Sequence, residues 1–322
     1  MNMHKSQITP QMGEFNVANH LLGDQQALQA AWDRDGYWFF RDVLDKDVIG
    51  RIRQVYVDYL VEMGVTDPND PDARYNGADY SNLPINSNST KLNDRKVHKM
   101  LHEAPTINAF FSRLFGCDPF WVPFTVHRTN PPVTDRNRSR FDFVHADSAY
   151  NEGLPFLICW VPLDDIDHDV GGLAVAEGLD GASLHPKDGM KILPIPEASI
   201  PAGRWRTTHY RAGDVLIMSM NTPHSGLANI SKDRFRFSMD TRIMPSSGNC
   251  PVAGSIKAVS AEDVTIETAK GDVHLRFDEH SFVRGNRGDQ MPLADIPHRY
   301  QPGDDVIVAT EGDLVVNMRP QS

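Results

Sequence analysis

The sequence predicts a mainly β protein, a sandwich or barrel of short strands, with helices gathered in its first third. Between about residues 117 and 245, short apolar runs alternate with Gly, Pro and Asp punctuation. Phe156-Leu157-Ile158-Cys159-Trp160-Val161-Pro162-Leu163 and Val215-Leu216-Ile217-Met218 are two of them. Before residue 117 the apolar positions recur at helical spacing instead. The chain of 322 residues, 40% hydrophobic and 23% charged, has the make-up of a globular protein long enough to bury its core without staples.

The elements follow in order. Residues 1–23 read as a loose arm. Asp24 to Arg34 is a short helix with Asp24 as its N-cap, closed by Gly36. Tyr37-Trp38-Phe39-Phe40 is a strand. Asp45 to Met63 is a helix, with Val48, Ile52, Val55, Tyr59 and Leu60 on one face and Gly64 at its end. Residues 66–94, rich in Asp, Asn, Pro and Ser, read as a long loop of the kind that forms lids. Lys96 to Leu114 is helical, broken near Pro105. Phe120 to Val126, Phe141 to His145, the two runs quoted above, Leu173 to Ala176 and Phe235 to Ile243 are strands. Two hairpins follow, across Lys270-Gly271-Asp272 and Glu311-Gly312-Asp313. One catalytic domain over 1–322 is expected, with a helical part at about 24–116, a β core at about 117–245 and a β-rich extension at about 250–322.

Charge narrows the partners. Thirty-two Lys and Arg against 43 Asp and Glu leave −11, a poor balance for holding a nucleic-acid backbone or an anionic membrane. Cys117, Cys159 and Cys250 are far apart and form no CxxC, which fits a reducing compartment. The polar N-terminus reads as no secretory signal, and no apolar run is long enough for a membrane helix, so the cytoplasm is expected. A small-molecule substrate is expected, with no nucleic-acid and no membrane partner. The oligomeric state stays open, a homodimer among the options.

The chemistry lies in Phe143-Val144-His145-Ala146-Asp147. On a strand, His145 and Asp147 would offer an imidazole and a carboxylate on one face. The distal partner is His224, which ends Gly213-Asp214-Val215-Leu216-Ile217-Met218-Ser219-Met220-Asn221-Thr222-Pro223-His224. Two His and one carboxylate make the facial triad of non-haem Fe(II) oxygenases, with positions left open for a co-substrate and O2. An HxD pair recurs by chance in many proteins; the order HxD, β run, GD-strand-His, basic strand is what carries the reading. In that basic strand, Arg234 and Arg236 share a predicted face, and either guanidinium could hold a carboxylate bidentately. Thr125, His127 and Arg128 at a strand end are further candidates for the co-substrate or substrate, though a structural strand with an exposed basic tip is the stronger reading of each, and Ser225 beside His224 is a candidate donor to the co-substrate that turn chemistry explains equally well. Trp160 reads as core, His168 as a loop residue, and His98 and His102 as a solvated helix face. Arg128, Arg136, Arg138 and Arg140 make 128–142 a basic loop, and it and 66–94 are candidates to contact substrate.

On these residues the chain resembles the phytanoyl-CoA dioxygenase family of Fe(II)/2-oxoglutarate oxygenases. The matching stretches are HAD at 145–147, WVPLDDIDHDVGGLAVAEG at 160–178, GDVLIMSMNTPHSGLANIS at 213–231 and RFRFSMDTRI at 234–243. Where the family runs on to a phrase like PGSH, this chain has Ala176-Glu177-Gly178-Leu179, which leaves the substrate open. The resemblance covers about residues 25–245. It implies a double-stranded β-helix (a jelly roll, cupin-like) buttressed by helices. It implies His145, Asp147 and His224 on Fe(II), and 2-oxoglutarate and O2 as co-substrates giving succinate and CO2. The phrase Arg236-Phe237-Ser238-Met239-Asp240-Thr241-Arg242 favours Arg236 over Arg234 for 2-oxoglutarate. Halogenating relatives carry a small residue in place of the carboxylate, so Asp147 implies hydroxylation, desaturation or a related oxidation. Two other readings stand beside this one: a metal-dependent cupin-type enzyme that does not use 2-oxoglutarate, and a non-catalytic β-sandwich binding protein.

Overall fold

A computed structural model describes residues 11–83, 90–133, 140–151, 153–188, 191–285 and 290–321. The chain divides into two compact units. The first is Met1–Gly116, Val126–Ala149 and Ile158–Thr241; the second is Cys117–Thr125, Tyr150–Leu157 and Arg242–Ser322.

Helix α1 (Gln25–Asp35) begins where the Asp24 carboxylate accepts a hydrogen bond from the Ala27 N–H at 3.0 Å. It ends at Gly36, whose φ of 77° reverses the chain at little cost. The reversal leads straight into strand β1 (Tyr37–Phe40). Asp45 caps α2 (Lys46–Glu62), which buries Ile49, Ile52, Tyr56, Tyr59 and Leu60 along one stripe. The loop expected over 66–94 ends in a one-turn helix, α3 (Thr90–Asp94), and residues 84–89 lie outside the described residues. The expected helix over 96–114 is two helices, α4 (His98–His102) and α5 (Pro105–Phe115). Pro105 lacks an N–H and holds Ala104 extended, which fits a first helical position and breaks the run before it.

The strands that follow are β2 (Pro119–Asn130), β3 (Leu157–Pro162), β4 (Leu173–Ala176), the short pair β5 (Lys187–Asp188) and β6 (Lys191–Ile192), β7 (Trp205–Arg206), β8 (Val215–Ser219), β9 (His224–Gly226) and β10 (Arg236–Pro245). One sheet has the order β1-β8-β3-β10-β2, and a second has the order β7-β4-β9. Eight strands in two sheets is the jelly-roll architecture. Strand β1 pairs antiparallel with β8, Tyr37 opposite Met218 and Phe40 opposite Val215. Strand β4 pairs with β9 so that Val175 faces His224. Phe141, Val144, Ala146, Ala174, Ala176, Trp205 and Leu227 form an apolar cluster beneath this smaller sheet. Burying it anchors the chain on either side of His145 and His224.

The second unit holds β11 (Val252–Val259), β12 (Asp263–Thr268), β13 (Gly271–Arg276), β14 (Phe282–Val283), helix α6 (Ile296–Arg299), β15 (Asp305–Glu311) and β16 (Leu314–Pro320). Its sheet runs β13-β12-β11-β15-β16-β14, and β13 also meets β16 through Arg276 and Leu314, so five of the strands close on themselves. Ile256, Val264, Ile266, Leu275, Val306, Val308, Val315 and Met318 fill its interior. Both expected hairpins are present, as β12–β13 and β15–β16.

Candidate active site

His145, Asp147 and His224 each bring a ligand atom to one point, with these atoms within 4.8 Å of one another. A continuous strand does not bring them there. Residues 141–147 form only single bridges, Phe141 to Leu227 and His145 to His224, and Asp147 opens a 3-10 turn, Asp147–Ala149. The expected strand fails because Asp147-Ser148-Ala149 favours turns over a pleated ladder. His145 and His224 exchange both backbone hydrogen bonds, at 3.0 and 2.8 Å, which brings their rings to 4.3 Å between centroids. The turn then carries the Asp147 carboxylate back to 3.3 Å from His145 Nε2.

The hydrogen bonds of the two rings fix where their Nδ1 protons lie. His145 Nδ1 lies 3.1 Å from the Phe143 carbonyl and His224 Nδ1 lies 3.0 Å from the Thr222 carbonyl. A carbonyl only accepts, so both Nδ1 atoms carry the proton and both Nε2 atoms present lone pairs. A lone pair on His145 Nε2 facing a carboxylate oxygen at 3.3 Å repels it unless a proton or a metal cation lies between. Two neutral imidazoles and one carboxylate form the donor set suited to ferrous iron with open positions. The triad therefore fits the metal.

His185 supports this arrangement without any signal in the sequence, since it sits in an aperiodic stretch. Its Nε2 accepts the Ala146 N–H at 2.9 Å while its Nδ1 donates to the Leu193 carbonyl at 2.8 Å. The residue between the two ligands is thereby pinned.

The two arginines of the basic strand part company. Arg234 lies ahead of β10, held in a turn where its carbonyl accepts from Asn229 Nδ2 at 2.6 Å and Ser231 Oγ at 3.1 Å. Its guanidinium makes a partly exposed ion pair with Asp167 at 2.5 Å. Strand alternation thus starts at Arg236, and the expected shared face does not form. Arg236 is 6% exposed. Its Nη1 donates to the carbonyls of Gly171 at 2.7 Å, Leu227 at 2.9 Å and Gly172 at 3.3 Å. Among the described residues its Nε has no hydrogen-bond partner and no carboxylate pairs with it. Burial first, and then the Arg128 cation, push this guanidinium down to about 9. A buried cation without a counterion fits an anionic ligand.

The paired glycines make this geometry possible. Gly171 has φ of 71°, and a Cβ there would lie 2.5 Å from the Ala228 carbonyl oxygen; at Gly172 it would lie 2.4 Å from the Tyr210 ring. Only hydrogen fits in either place.

The remaining candidates distribute as follows. Ser225 is fully buried beside His224, its hydroxyl donating to the Gly226 carbonyl at 2.9 Å and accepting the Phe143 N–H at 3.1 Å. Thr125 and His127 lie within β2 and not at its tip, and both are buried. His127 Nδ1 lies 2.6 Å from the Tyr56 hydroxyl. His98 and His102 are half-buried and not a solvated face: His102 Nε2 is 2.8 Å from the Thr241 hydroxyl of β10, and the two rings are 5.3 Å apart. Trp160 is core, 4% exposed, and His168 lies in a loop where its carbonyl accepts from Arg140 at 2.5 Å. Arg136 and Arg138 lie outside the described residues.

The family model of phytanoyl-CoA dioxygenase (PhyH) matches residues 32–238. The chain is 26% identical over 259 residues to 1-deoxypentalenic acid 11-beta-hydroxylase of Streptomyces arenae, covering 75% of this chain and 89% of that protein. It is 25% identical, with the same coverage, to the enzyme of that name from Streptomyces exfoliatus. A solved structure of the epimerase SnoN, in complex with Fe3+, alpha ketoglutarate and nogalamycin RO, is similar over 69% of this chain and 84% of that one, at 21% identity and a TM-score of 0.46. The chain belongs to the phytanoyl-CoA dioxygenase family of Fe(II)- and 2-oxoglutarate-dependent oxygenases.

Proposed function

We propose that this protein hydroxylates a small organic molecule, with His145, Asp147 and His224 holding Fe(II) and Arg236 holding the far carboxylate of 2-oxoglutarate. The observation that carries the reading is the convergence of the three ligand atoms within 4.8 Å, with both Nδ1 protons committed to carbonyls. Once bound, iron and 2-oxoglutarate supply the oxidising power drawn from O2, with succinate and CO2 as products. The chain does the rest. Phe143 and Thr222 fix the imidazole tautomers, and His185 holds Ala146 between two ligands. The carbonyls of Gly171, Gly172 and Leu227 aim the Arg236 guanidinium, and its bidentate fork sets the register of the co-substrate. The Streptomyces relatives are named as hydroxylases of a small acid, which supports hydroxylation over other oxidations. An acidic chain with scattered cysteines supports a cytoplasmic enzyme with neither nucleic acid nor membrane as partner. Among the described residues no helix is long and apolar enough to cross a membrane.

The test is an anaerobic titration of Fe(II) protein with 2-oxoglutarate, following the visible metal-to-ligand charge-transfer band. Wild type is expected to develop the band and His145→Ala to lose it. Arg236→Ala is expected to need at least about tenfold more 2-oxoglutarate, the loss of one charge-assisted hydrogen bond. Arg234→Ala, which removes a partly exposed ion pair with Asp167 and a hydrogen bond to the Asp165 carbonyl, is expected to titrate like wild type. A folded wild type that shows no band with excess iron refutes the proposal.

A further inference from the structure

Strands β2 and β10 are neighbours in the larger sheet. On each, one residue identifies the face turned to α2. His127 Nδ1 lies 2.6 Å from the Tyr56 hydroxyl, and the Phe237 ring meets the Tyr56 ring edge-on at 6.1 Å. Alternation turns the next residues, Arg128 on β2 and Arg236 and Ser238 on β10, to the opposite face. That face looks toward the smaller sheet: the Arg236 guanidinium reaches the carbonyls of Gly172, next to β4, and of Leu227, next to β9, the strand that begins at His224.

Arg128 is half-buried and, among the described residues, makes neither a hydrogen bond nor an ion pair. It is close enough to Arg236 to be the strongest influence on it after burial. On the same face, Asn130 Oδ1 and Ser238 Oγ are buried with no partner among the described residues. The chain has 43 acidic residues against 32 basic ones, yet among the described residues these two cations stand together without a carboxylate paired to either. Such an arrangement is unfavourable until anions arrive. The far carboxylate of 2-oxoglutarate neutralises one of them and leaves one positive charge over.

We propose that Arg128 is the receptor for a carboxylate on the primary substrate, so that this enzyme oxidises an organic monocarboxylic acid held by its acid group. The proposal rests on the reading of Arg236 as the co-substrate arginine. One residual charge calls for a monoanion, and a planar guanidinium matches a carboxylate through two parallel hydrogen bonds. Asn130 and Ser238 stand beside it to complete the polar shell.

The experiment uses the full chain loaded with Fe(II) under nitrogen. A library of apolar monocarboxylic acids, linear from C6 to C16 and mono- to tetracyclic, is compared with the corresponding primary amides. Ligand binding is read as a shift in melting temperature at saturating 2-oxoglutarate, and turnover as 2-oxoglutarate consumed once air is admitted. Acids are expected to raise the melting temperature and accelerate consumption, and their amides to do neither. In Arg128→Gln the affinity for the acids is expected to fall at least about tenfold while the 2-oxoglutarate titration of the charge-transfer band stays within about threefold of wild type. Arg128→Lys, which keeps the charge without the fork, is expected to fall between. The proposal is overturned if Arg128→Gln weakens 2-oxoglutarate as much as Arg236→Gln does, for then both arginines serve the co-substrate. It is equally overturned if amides act like acids, or if no acid acts on a wild type that shows the band. Absence of the band in wild type refutes the co-substrate reading first and this proposal with it.

Discussion

Substituting Gly172 by alanine tests how the co-substrate arginine is anchored. A Cβ at Gly172 would lie 2.4 Å from Cε2 and 2.7 Å from Cδ2 of Tyr210, whereas carbon atoms in contact sit at about 3.5–4.0 Å. Roughly 1 Å must be found. The Tyr210 ring has no room to supply it: it is fully buried, its hydroxyl donates to the Leu173 carbonyl at 2.6 Å, and Trp160, Phe39 and Phe15 pack around it at 4.7, 5.9 and 6.0 Å between centroids. The backbone at Gly171-Gly172 must move instead, and both its carbonyls accept from Arg236 Nη1. Overpacking of this kind costs about 1–3 kcal/mol, which lowers the melting temperature by roughly 2–12 °C at about 2–4 °C per kcal/mol. The same displacement loosens Arg236, and the loss of about 1.4 kcal/mol there raises the 2-oxoglutarate Kd about tenfold. Calorimetry and the charge-transfer titration measure the two effects. In a Tyr210→Ala background the room already exists, so Gly172→Ala is expected to cost little further, a coupling of about 1–3 kcal/mol. An equal cost in both backgrounds refutes the contact as the cause. A fall in melting temperature with unchanged 2-oxoglutarate affinity refutes anchorage of Arg236 through these carbonyls.

Two further outcomes follow from buried imidazoles. His185→Ala leaves the Ala146 N–H without its acceptor, and the Fe(II) Kd, measured by competition with a chelator, is expected to rise about 10- to 100-fold; an unchanged Kd would show that Ala146 holds its place unaided. On α4 and β2, burial pushes His98 down, His102 well down and His127 down to about 3. The unfolded chain therefore binds protons that the folded one refuses as the pH falls below about 6.5, so stability is full above that value and declines below it. For His127 alone the loss is about 2 kcal/mol between pH 6.5 and 5, and urea melts of His127→Gln should show a shallower slope than wild type over that window; parallel slopes would remove His127 as the cause.

Much of the fold was legible because local chemistry and tertiary structure agree. Asp24 caps the helix it was expected to cap, the second helix starts where Asp45 was expected to begin it, and the apolar runs at 157–162 and 215–219 became central strands of the larger sheet. Strands β4, β7 and β9 have two to four residues each, too short to leave a period in the sequence, and only β4 was read. Their stability comes from the apolar cluster below them, which draws on residues from 141 to 227 and so leaves no local signature.

The site shows where period-two reasoning stops. It brought His145 and Asp147 together by a strand that does not exist; the 3-10 turn that opens at Asp147 reaches the same result, folding its carboxylate back to 3.3 Å from His145 Nε2. The same reasoning united Arg234 with Arg236, and there it fails. The Asn229 and Ser231 side chains grip the Arg234 carbonyl and keep that residue out of the ladder, so alternation begins two residues later, at Arg236. One arginine goes to a surface ion pair with Asp167 and the other to a buried site with no counterion among the described residues. That difference in burial gives their two substitutions opposite expectations: near silence at Arg234, and loss of the co-substrate at Arg236.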